Sequence, residues 1–178
     1  MKKIIISMVM LMATCLAFAQ DASYLIQQYR KVDGAKYKNM TKKVKKKAEK
    51  EKYINPKMFD LTQRANKVEY VQVSLDNQQK VALTENIKNV DGYQQLYEKK
   101  SNVDHMLSDN YTIFPLQQYY GIEQDGRVSD AIIRLDTYQK NESISMIIHV
   151  TGDYTVEELM QLLSLEETKT VELSPNER

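Results

Sequence analysis

Hydrophobic and polar residues alternate most clearly in the second half of the chain. Between residues 143 and 151, Ile144, Met146, Ile148 and Val150 occupy every second position, which predicts a β-strand with one buried face. A similar period of two predicts further strands at residues 67–75, 93–100, 111–123 and 127–138. A short strand is also predicted at residues 35–41, just before a basic segment.

Glycine and proline residues mark the turns and irregularities of these strands. Asp125-Gly126 is typical of a two-residue β-hairpin turn. Pro115 lacks a backbone donor, so it predicts either an edge strand or an interruption at residues 111–123. Gly121, in the same segment, indicates a β-bulge.

Helical periodicity predicts the remaining elements, and polar residues mark where two of the helices begin. Asp76 is a predicted N-cap, and Thr155 with Glu158 forms a predicted capping box. The predicted helices cover residues 21–32, 41–53, 58–61, 77–90 and 155–165. Together, these elements predict an α+β fold: a largely antiparallel sheet of about five to six strands, with helices packed on one face and the other face partly solvated.

The chain of 178 residues is long enough for one domain that needs no metal or disulfide to bury a core. We predict this domain at residues 20–165. It is preceded by a cleaved signal peptide at residues 1–19 and followed by a frayed polar tail at residues 166–178.

The signal peptide is predicted from three consecutive features. Residues 1–3 are basic, residues 4–16 are mostly apolar, and residues 17–19 form an A-x-A site that places cleavage between Ala19 and Gln20. These features predict export, and the periplasm is the favoured destination because the trimmed chain has no cysteine for a disulfide. The mature chain is expected to have no transmembrane segment.

Two alternatives to cleavage at this site remain open. Cys15, the single cysteine, would be the lipidated residue of an outer-membrane lipoprotein, although Thr14 is a poor match to the small residue expected before it. The apolar run would otherwise be a retained N-terminal anchor. If the predicted cleavage occurs, Cys15 is lost, and thiol catalysis, thiolate metal binding and disulfides are excluded.

Overall charge is balanced, with 25 Lys and Arg residues against 24 Asp and Glu residues. This balance argues against a general nucleic-acid-binding protein. Locally, however, a predicted helix is dense in lysine, with candidate contact residues Lys42, Lys43, Lys46, Lys47 and Lys50. This patch would attract an anionic partner such as a membrane surface or an acidic protein; the alternative is an ordinary solvated helix face.

Tyrosine is the second compositional bias, with 12 residues in the chain. Tyr97, Tyr119 and Tyr120 fall in predicted strands, where tyrosine serves equally well as a half-buried strand residue or as a contact residue of an interface. We include these three residues in the candidate interaction surface.

The two histidines are the main candidates for chemistry. His105 lies beside Asp104 in a predicted polar loop, and His149 lies in the last predicted strand, where it is expected to be hydrogen-bonded or solvent-facing. Neither has the spacing of a zinc motif, and the chain contains no phosphate-binding loop or serine-hydrolase motif, so no catalytic residue, metal or cofactor is expected. A dry cleft in which either histidine met two acidic side chains would instead favour an enzyme.

Three segments, in this order, resemble the small exported Bacteroidota proteins grouped as domain of unknown function 4252. The first is the tyrosine-rich helix that runs into Asp33-Gly34, and the second is a strand and helix followed by Gly92-Tyr93-x-x-Leu96. The third is the final strand, which leads into residues 151–159. The resemblance implies no catalytic residues. It also implies a role as an accessory of envelope signalling, because members of this family are often encoded near extracytoplasmic sigma and anti-sigma factors.

The sequence therefore favours an exported, non-enzymatic interaction module with a protein partner in the cell envelope and no nucleic-acid partner. One alternative is a small periplasmic hydrolase or metal-dependent enzyme that uses His105 and neighbouring carboxylates. Another is a carrier of a small apolar ligand held between helix and sheet.

Overall fold

Six antiparallel strands form one continuous sheet in the computed structural model, which describes residues 21–101, 115–139 and 142–167. In pairing order, the strands are β1 (Lys36–Asn39), β2 (Lys67–Ser74), β6 (Glu142–Tyr154), β5 (Arg127–Gln139), β4 (Leu116–Gln124) and β3 (Gln94–Lys100). The last four strands in the chain form a meander, and β6 also pairs with β2. The predicted α+β class with an antiparallel sheet is therefore confirmed.

Helices connect and flank the strands. They are α1 (Ala22–Tyr29), α2 (Thr41–Glu51), α3 (Pro56–Gln63), α4 (Asn77–Lys88) and α5 (Val156–Glu167). Because α5 extends to Glu167, the first two residues of the predicted frayed tail belong to a helix. None of the helices in these described ranges is long and apolar enough to cross a membrane.

Several sequence predictions fall outside the described residues. These are the signal peptide with Cys15, the cleavage site between Ala19 and Gln20, the loop that contains His105, and residues 168–178 of the predicted tail.

Both faces of the sheet carry a hydrophobic cluster, because neighbouring strand residues point to opposite sides. On β6, Ile147 packs in a cluster with residues of α1 and α4, whereas Ile148 and Val150 pack in a cluster with residues of α3 and α5. We call these the α1/α4 face and the α3/α5 face. The predicted packing of helices on one face is not confirmed, since helices contribute buried residues on both.

The predicted irregularities of β4 need correction. Pro115 lies just before β4, which is an interior strand between β3 and β5 and not an edge. Gly121 is not itself the bulged residue: it pairs in register with Gln94 and Ala131, and the register shift lies between Ile122 and the next residue. A Cβ at position 121 would lie 2.4 Å from the carbonyl oxygen of Asp130, so this position requires glycine because the neighbouring backbone is so close.

Side-chain caps fix the starts of two helices as predicted. The Asp76 side chain accepts a hydrogen bond from the backbone N–H of Gln79. The backbone N–H of Asp76 donates in turn to the side-chain oxygen of Gln79. Thr155 and Glu158 exchange the same pair of bonds at the start of α5, at 3.2 Å and 2.9 Å.

Candidate functional site

His149 is buried on the α1/α4 face between two carboxylates. Its Nδ1 lies 3.0 Å from Oε1 of Glu69, and its Nε2 lies 2.9 Å from Oδ1 of Asp130. Only 3% of the His149 side chain is exposed, compared with 6% for Glu69 and 30% for Asp130. The expectation of a hydrogen-bonded strand histidine is confirmed, and the alternative of a solvent-facing histidine is wrong.

The strand registers bring these three residues together. Glu69 of β2 lies directly opposite His149 of β6, and His149 lies opposite Ile132 of β5. Asp130 is two residues from Ile132, so its side chain points to the same face. A sequence signal for Glu69 did exist, because it shares alternate positions of β2 with the buried Val71 and Val73.

Three further side chains contact the two carboxylates. Tyr93 and Lys67 contact the same oxygen atoms as His149, whereas Tyr37 contacts the other oxygen of Glu69. Tyr93 donates to Asp130 over 2.7 Å, and Tyr37 donates to Glu69 over 2.9 Å. Lys67 Nζ lies 2.5 Å from Oε1 of Glu69 and also donates to Ser23 over 3.1 Å. We call Glu69, His149 and Asp130, with these donors, the histidine cluster.

These contacts shift the ionisation of the carboxylates. Burial alone would raise the pKa of Glu69, but hydrogen bonds from Lys67, His149 and Tyr37 outweigh it and hold this pKa below its usual value. The pKa of Asp130 is also lowered, because bonds from His149 and Tyr93 outweigh the effect of burial. Burial and donation to Asp130 raise the pKa of Tyr93.

The histidine cluster joins side chains of β1, β2, β5 and β6. Both ring nitrogens of His149 are engaged by carboxylates of the same chain. His149 does meet two acidic side chains, and it is buried from solvent. Among the described residues, no group of three or more histidine, cysteine or acidic side chains is arranged to hold a metal ion.

A second buried ionic group lies at the other end of the same face. Arg134 Nε and Nη2 donate to both oxygens of Asp136, at 3.0 Å and 2.7 Å, and Ser145 donates to Asp136 over 2.8 Å. Arg134 Nη1 reaches α4, where it donates to the carbonyl of Lys80 and the hydroxyl of Thr84. This group joins α4 to the sheet where the apolar cluster ends.

An open groove of about 320 Å³ adjoins this second ionic group, between α4 and strands β3 to β5. Its lining includes Lys80, Lys88, Glu98, Lys100, Gln118 and Arg134. Gln118 is 5% exposed, and its Nε2 donates to Glu98 over 2.6 Å. Its Oε1 is buried and has no hydrogen-bond partner.

The lysine-rich segment forms α2, as predicted, and lies beside the α3/α5 face. Ala48 is buried and Val44 packs against the cluster on that face, so the opposite side of the helix is open to solvent. Of the candidate contact residues, Lys42, Lys43, Lys46 and Lys50 are exposed, and Lys47 is half-buried.

Two exposed apolar side chains that were not predicted from the sequence lie in the turn between α2 and α3. Tyr53 is 92% exposed and Ile54 is 84% exposed, at the end of the hairpin formed by the two helices. Lys52 lies next to them, with Nζ 5.9 Å from the ring centre of Tyr53 and 5.3 Å from that of Phe59. We call α2, α3 and this turn the basic hairpin. Tyr53 and Ile54 directly follow the lysine-rich segment, and this pattern could have predicted the exposed apolar pair.

The predicted tyrosine surface needs correction. Tyr119 is 3% exposed and Tyr120 is 1% exposed, and they point to opposite faces of the sheet. They therefore do not form a joint contact surface on the folded chain. Tyr97 is half-buried and packs edge-on against Tyr119, with ring centres 5.4 Å apart. All three tyrosines mainly serve packing.

No protein-family model, curated protein or solved structure matches the chain. The resemblance to domain of unknown function 4252 stays a prediction based on the three segments that carry it.

Proposed function

We propose that the protein is an exported, non-enzymatic binding module of the cell envelope that contacts an anionic lipid surface through its basic hairpin. The observation that carries the proposal is the combination of an exposed lysine face with two almost fully exposed apolar side chains at its tip. The histidine cluster supports the non-enzymatic part, because its hydrogen bonds are made within the protein.

The lysines of the basic hairpin are placed where they destabilise helix α2. Residues 41–60 contain eight lysines and three acidic residues. Lys42, Lys46 and Lys50 are spaced four residues apart, and like charges at this spacing destabilise a helix by about 0.2–0.5 kcal/mol per pair. The first turn of α2 contains no acidic residue, so Lys42 and Lys43 also face the positive end of the helix dipole.

An anionic surface would relieve this repulsion. A solvated helix face without a partner gains nothing from such an arrangement, and mixed charges would stabilise it better. The unfavourable placement of lysine therefore supports a binding role over the alternative of an ordinary solvated face.

The apolar tip favours a lipid surface over an acidic protein. Tyr53 and Ile54 are almost fully exposed in a turn flanked by Lys52 and Lys57, so they could enter the headgroup region while the lysines meet phosphate groups. Each lysine near an anionic membrane contributes about 1 kcal/mol, and burial of an isoleucine side chain contributes about 2 kcal/mol. Four lysines and Ile54 would then give about 6 kcal/mol, or a dissociation constant on the order of tens of micromolar.

Co-sedimentation with lipid vesicles tests this proposal. The mature chain should bind vesicles that contain phosphatidylglycerol, bind pure phosphatidylcholine much less, and lose binding as ionic strength rises. Lys43→Glu/Lys46→Glu should remove binding, and Ile54→Ser should weaken it severalfold. Lys31→Glu/Lys99→Glu, which makes the same charge change at exposed sites elsewhere, should bind like the wild type. Equal binding by both double variants, or no preference for anionic lipid, would refute the proposal.

A protein partner in envelope signalling is the second candidate, and the resemblance to domain of unknown function 4252 supports it. A photocrosslinking residue placed at Tyr53 in intact cells distinguishes the two candidates, since it would yield one discrete protein adduct in this case and mainly lipid adducts in the other. The same cells test export: mass spectrometry should find a mature N-terminus at Gln20. An uncleaved chain in the cytosol would refute the envelope assignment.

A further inference from the structure

The lysine-rich part of the chain begins before the basic hairpin, in strand β1 at one edge of the described sheet. Residues 36–47 contain seven lysines and no acidic residue, and two of these lysines, Lys36 and Lys38, belong to β1. Both are exposed, and neither forms an ion pair with the residues that the structure describes. The exposed cations of α2 therefore continue into the strand that precedes it.

The pairing of β1 with β2 fixes the direction of these two side chains. Lys38 lies opposite Tyr70, and Tyr70 packs against the cluster of the α3/α5 face. Directly opposed residues of two strands point to the same side of a sheet, and so do alternate residues of one strand. Lys36 and Lys38 therefore both point to the α3/α5 face, beside which α2 lies. Tyr37, between them, points to the other face and donates to Glu69 over 2.9 Å.

The junction between β1 and α2 is bonded to β2, so the lysines of the strand and of the helix are held in one surface. The backbone N–H of Met40 donates to the carbonyl of Val68 over 2.7 Å. The hydroxyl of Thr41 donates to the same carbonyl over 3.3 Å and accepts from the N–H of Val68 over 2.9 Å. These bonds lie between Lys38 and Lys42 in the sequence, and they restrict movement of the strand lysines relative to the helix lysines.

We infer that the lipid-contact surface extends from the basic hairpin onto the β1 edge of the sheet, with Lys36 and Lys38 as further contacts for lipid phosphate groups. This inference rests on the proposed function, because it takes an anionic lipid surface as the partner. Charge complementarity and continuity with α2 support it, since lysines without a neighbouring acid repel one another and anionic headgroups would neutralise them. The bound protein turns β1 and α2 toward the lipid and keeps the opposite edge strand, β3, in water.

The alternative role of Lys36 and Lys38 is protection of the edge strand. Charged side chains, lysine above all, prevent an edge strand from pairing with another chain. The other edge of the described sheet offers a comparison, because Lys99 is an exposed lysine of β3. Protection works with charge of either sign, so glutamate would serve it as well as lysine, whereas binding to anionic lipid requires a positive charge.

Vesicle co-sedimentation of Lys38→Glu and Lys99→Glu separates the two roles. Charge reversal at position 38 should weaken binding to phosphatidylglycerol vesicles roughly tenfold, and Lys36→Glu/Lys38→Glu should weaken it further. Lys99→Glu, the matched change at the opposite edge, should bind like the wild type. Lys38→Gln, which only removes the charge, should weaken binding severalfold, and it replaces the reversal if Lys38→Glu lowers Tm.

A fluorescent label reports the orientation of the bound protein. The predicted mature chain has no cysteine, so Lys38→Cys and Lys99→Cys each supply a single labelling site. The vesicles carry a quencher on the lipid headgroup and are used at a concentration that saturates binding. The label at position 38 should be quenched, and the label at position 99 should keep its fluorescence. Equal quenching at the two positions would overturn the inference.

The outcomes separate a failure of this inference from a failure of the proposed function. A wild-type chain that does not bind anionic vesicles would refute both. If Lys43→Glu/Lys46→Glu loses binding while Lys38→Glu binds like Lys99→Glu, the basic hairpin alone contacts lipid and the inference is wrong. Equal weakening by Lys38→Glu and Lys99→Glu would also overturn it, because the effect would then come from net charge and not from the β1 edge.

Discussion

Glu69 and His149 are directly opposed partners on β2 and β6, and the imidazole of His149 links Glu69 to Asp130 through contacts of 3.0 Å and 2.9 Å. This link crosses three strands of the sheet without using the backbone. It places two ionised carboxylates next to the apolar cluster under α1 and α4. The stability of the domain should therefore depend on the ionisation of these groups.

Replacing Glu69 with glutamine should destabilise the fold strongly. The substitution leaves Lys67 facing a neutral amide. Removing one partner of a fully buried ion pair costs about 3–5 kcal/mol, and the partial exposure of Lys67 places this cost at or below the lower end of that range. Urea denaturation monitored by circular dichroism measures the change. Tyr37→Phe, which removes a single hydrogen bond to Glu69, is the control and should cost about 1 kcal/mol. Equal effects from the two variants would contradict the central role of the charge.

The same cluster predicts that the protein loses stability in acid. The folded pKa values of Glu69 and Asp130 are both lowered, so their contribution is complete at pH values above those at which the unfolded carboxylates titrate, and it is lost as pH falls through the folded values. Unfolding free energy should therefore fall below a pH of about 4. Asp130→Asn should reduce the slope of this acid limb. An unchanged slope would show that other carboxylates control it.

Gly121→Ala should be far more destabilising than Gly126→Ala. At position 121, a new Cβ would meet the Asp130 carbonyl at 2.4 Å and Cα of Ala131 at 3.2 Å, so β4 and β5 would have to separate. At position 126, nothing lies within 4 Å, and the cost comes from a φ of +74°, at about 1 kcal/mol. Thermal unfolding of the two variants provides the comparison. Similar Tm values would mean that the sheet adjusts easily at Gly121.

Glu158 should contribute more to stability than its partner in the capping box. Thr155→Ala removes one cap and should cost about 1 kcal/mol. Glu158→Ala also releases Arg64, which donates to both Glu158 oxygens at 2.8 Å and 3.1 Å, so it should cost more, about 2 kcal/mol. The bond from Arg64 lowers the pKa of Glu158, in agreement with this pairing. A double-mutant cycle with Arg64→Ala would give no coupling energy if the pair were unimportant.

Lys43→Glu should move stability and lipid binding in opposite directions. The new carboxylate would lie in the first turn of α2, where the helix dipole favours it, and four residues before Lys47, so a gain of about 0.5–1 kcal/mol is expected. Binding to phosphatidylglycerol vesicles should fall in the same variant. A loss of stability would show that Lys43 makes a structural contact. The positive charge of Lys43 would then no longer support a role in lipid binding.

Local sequence patterns predicted the elements well. Alternation identified β6, the Thr155 and Glu158 box marked the start of α5, and Asp76 marked the start of α4, because each signal lies within a few neighbouring residues. The hairpin turn at Asp125-Gly126 was equally visible, and both of these residues have positive φ values.

Features that depend on the pairing of strands distant in sequence could not be predicted. The meeting of Glu69, His149 and Asp130 depends on the order β2-β6-β5, which no local pattern encodes. The burial of Tyr119 and Tyr120 has the same origin, since an interior strand covered on both faces leaves no tyrosine exposed. The orphan oxygen of Gln118 depends on the pairing of its neighbour strands and was also beyond the reach of sequence patterns.

The position of β6 has a consequence for how the chain acquires its structure. Of the strands that the structure describes, β6 is the last to be synthesised, yet it lies between β2 and β5 and joins β1 and β2 to strands β3 to β5. Until residues 142–154 emerge from the ribosome, the sheet lacks the strand that pairs with both β2 and β5. The six-stranded sheet of this chain therefore cannot be completed until late in its synthesis.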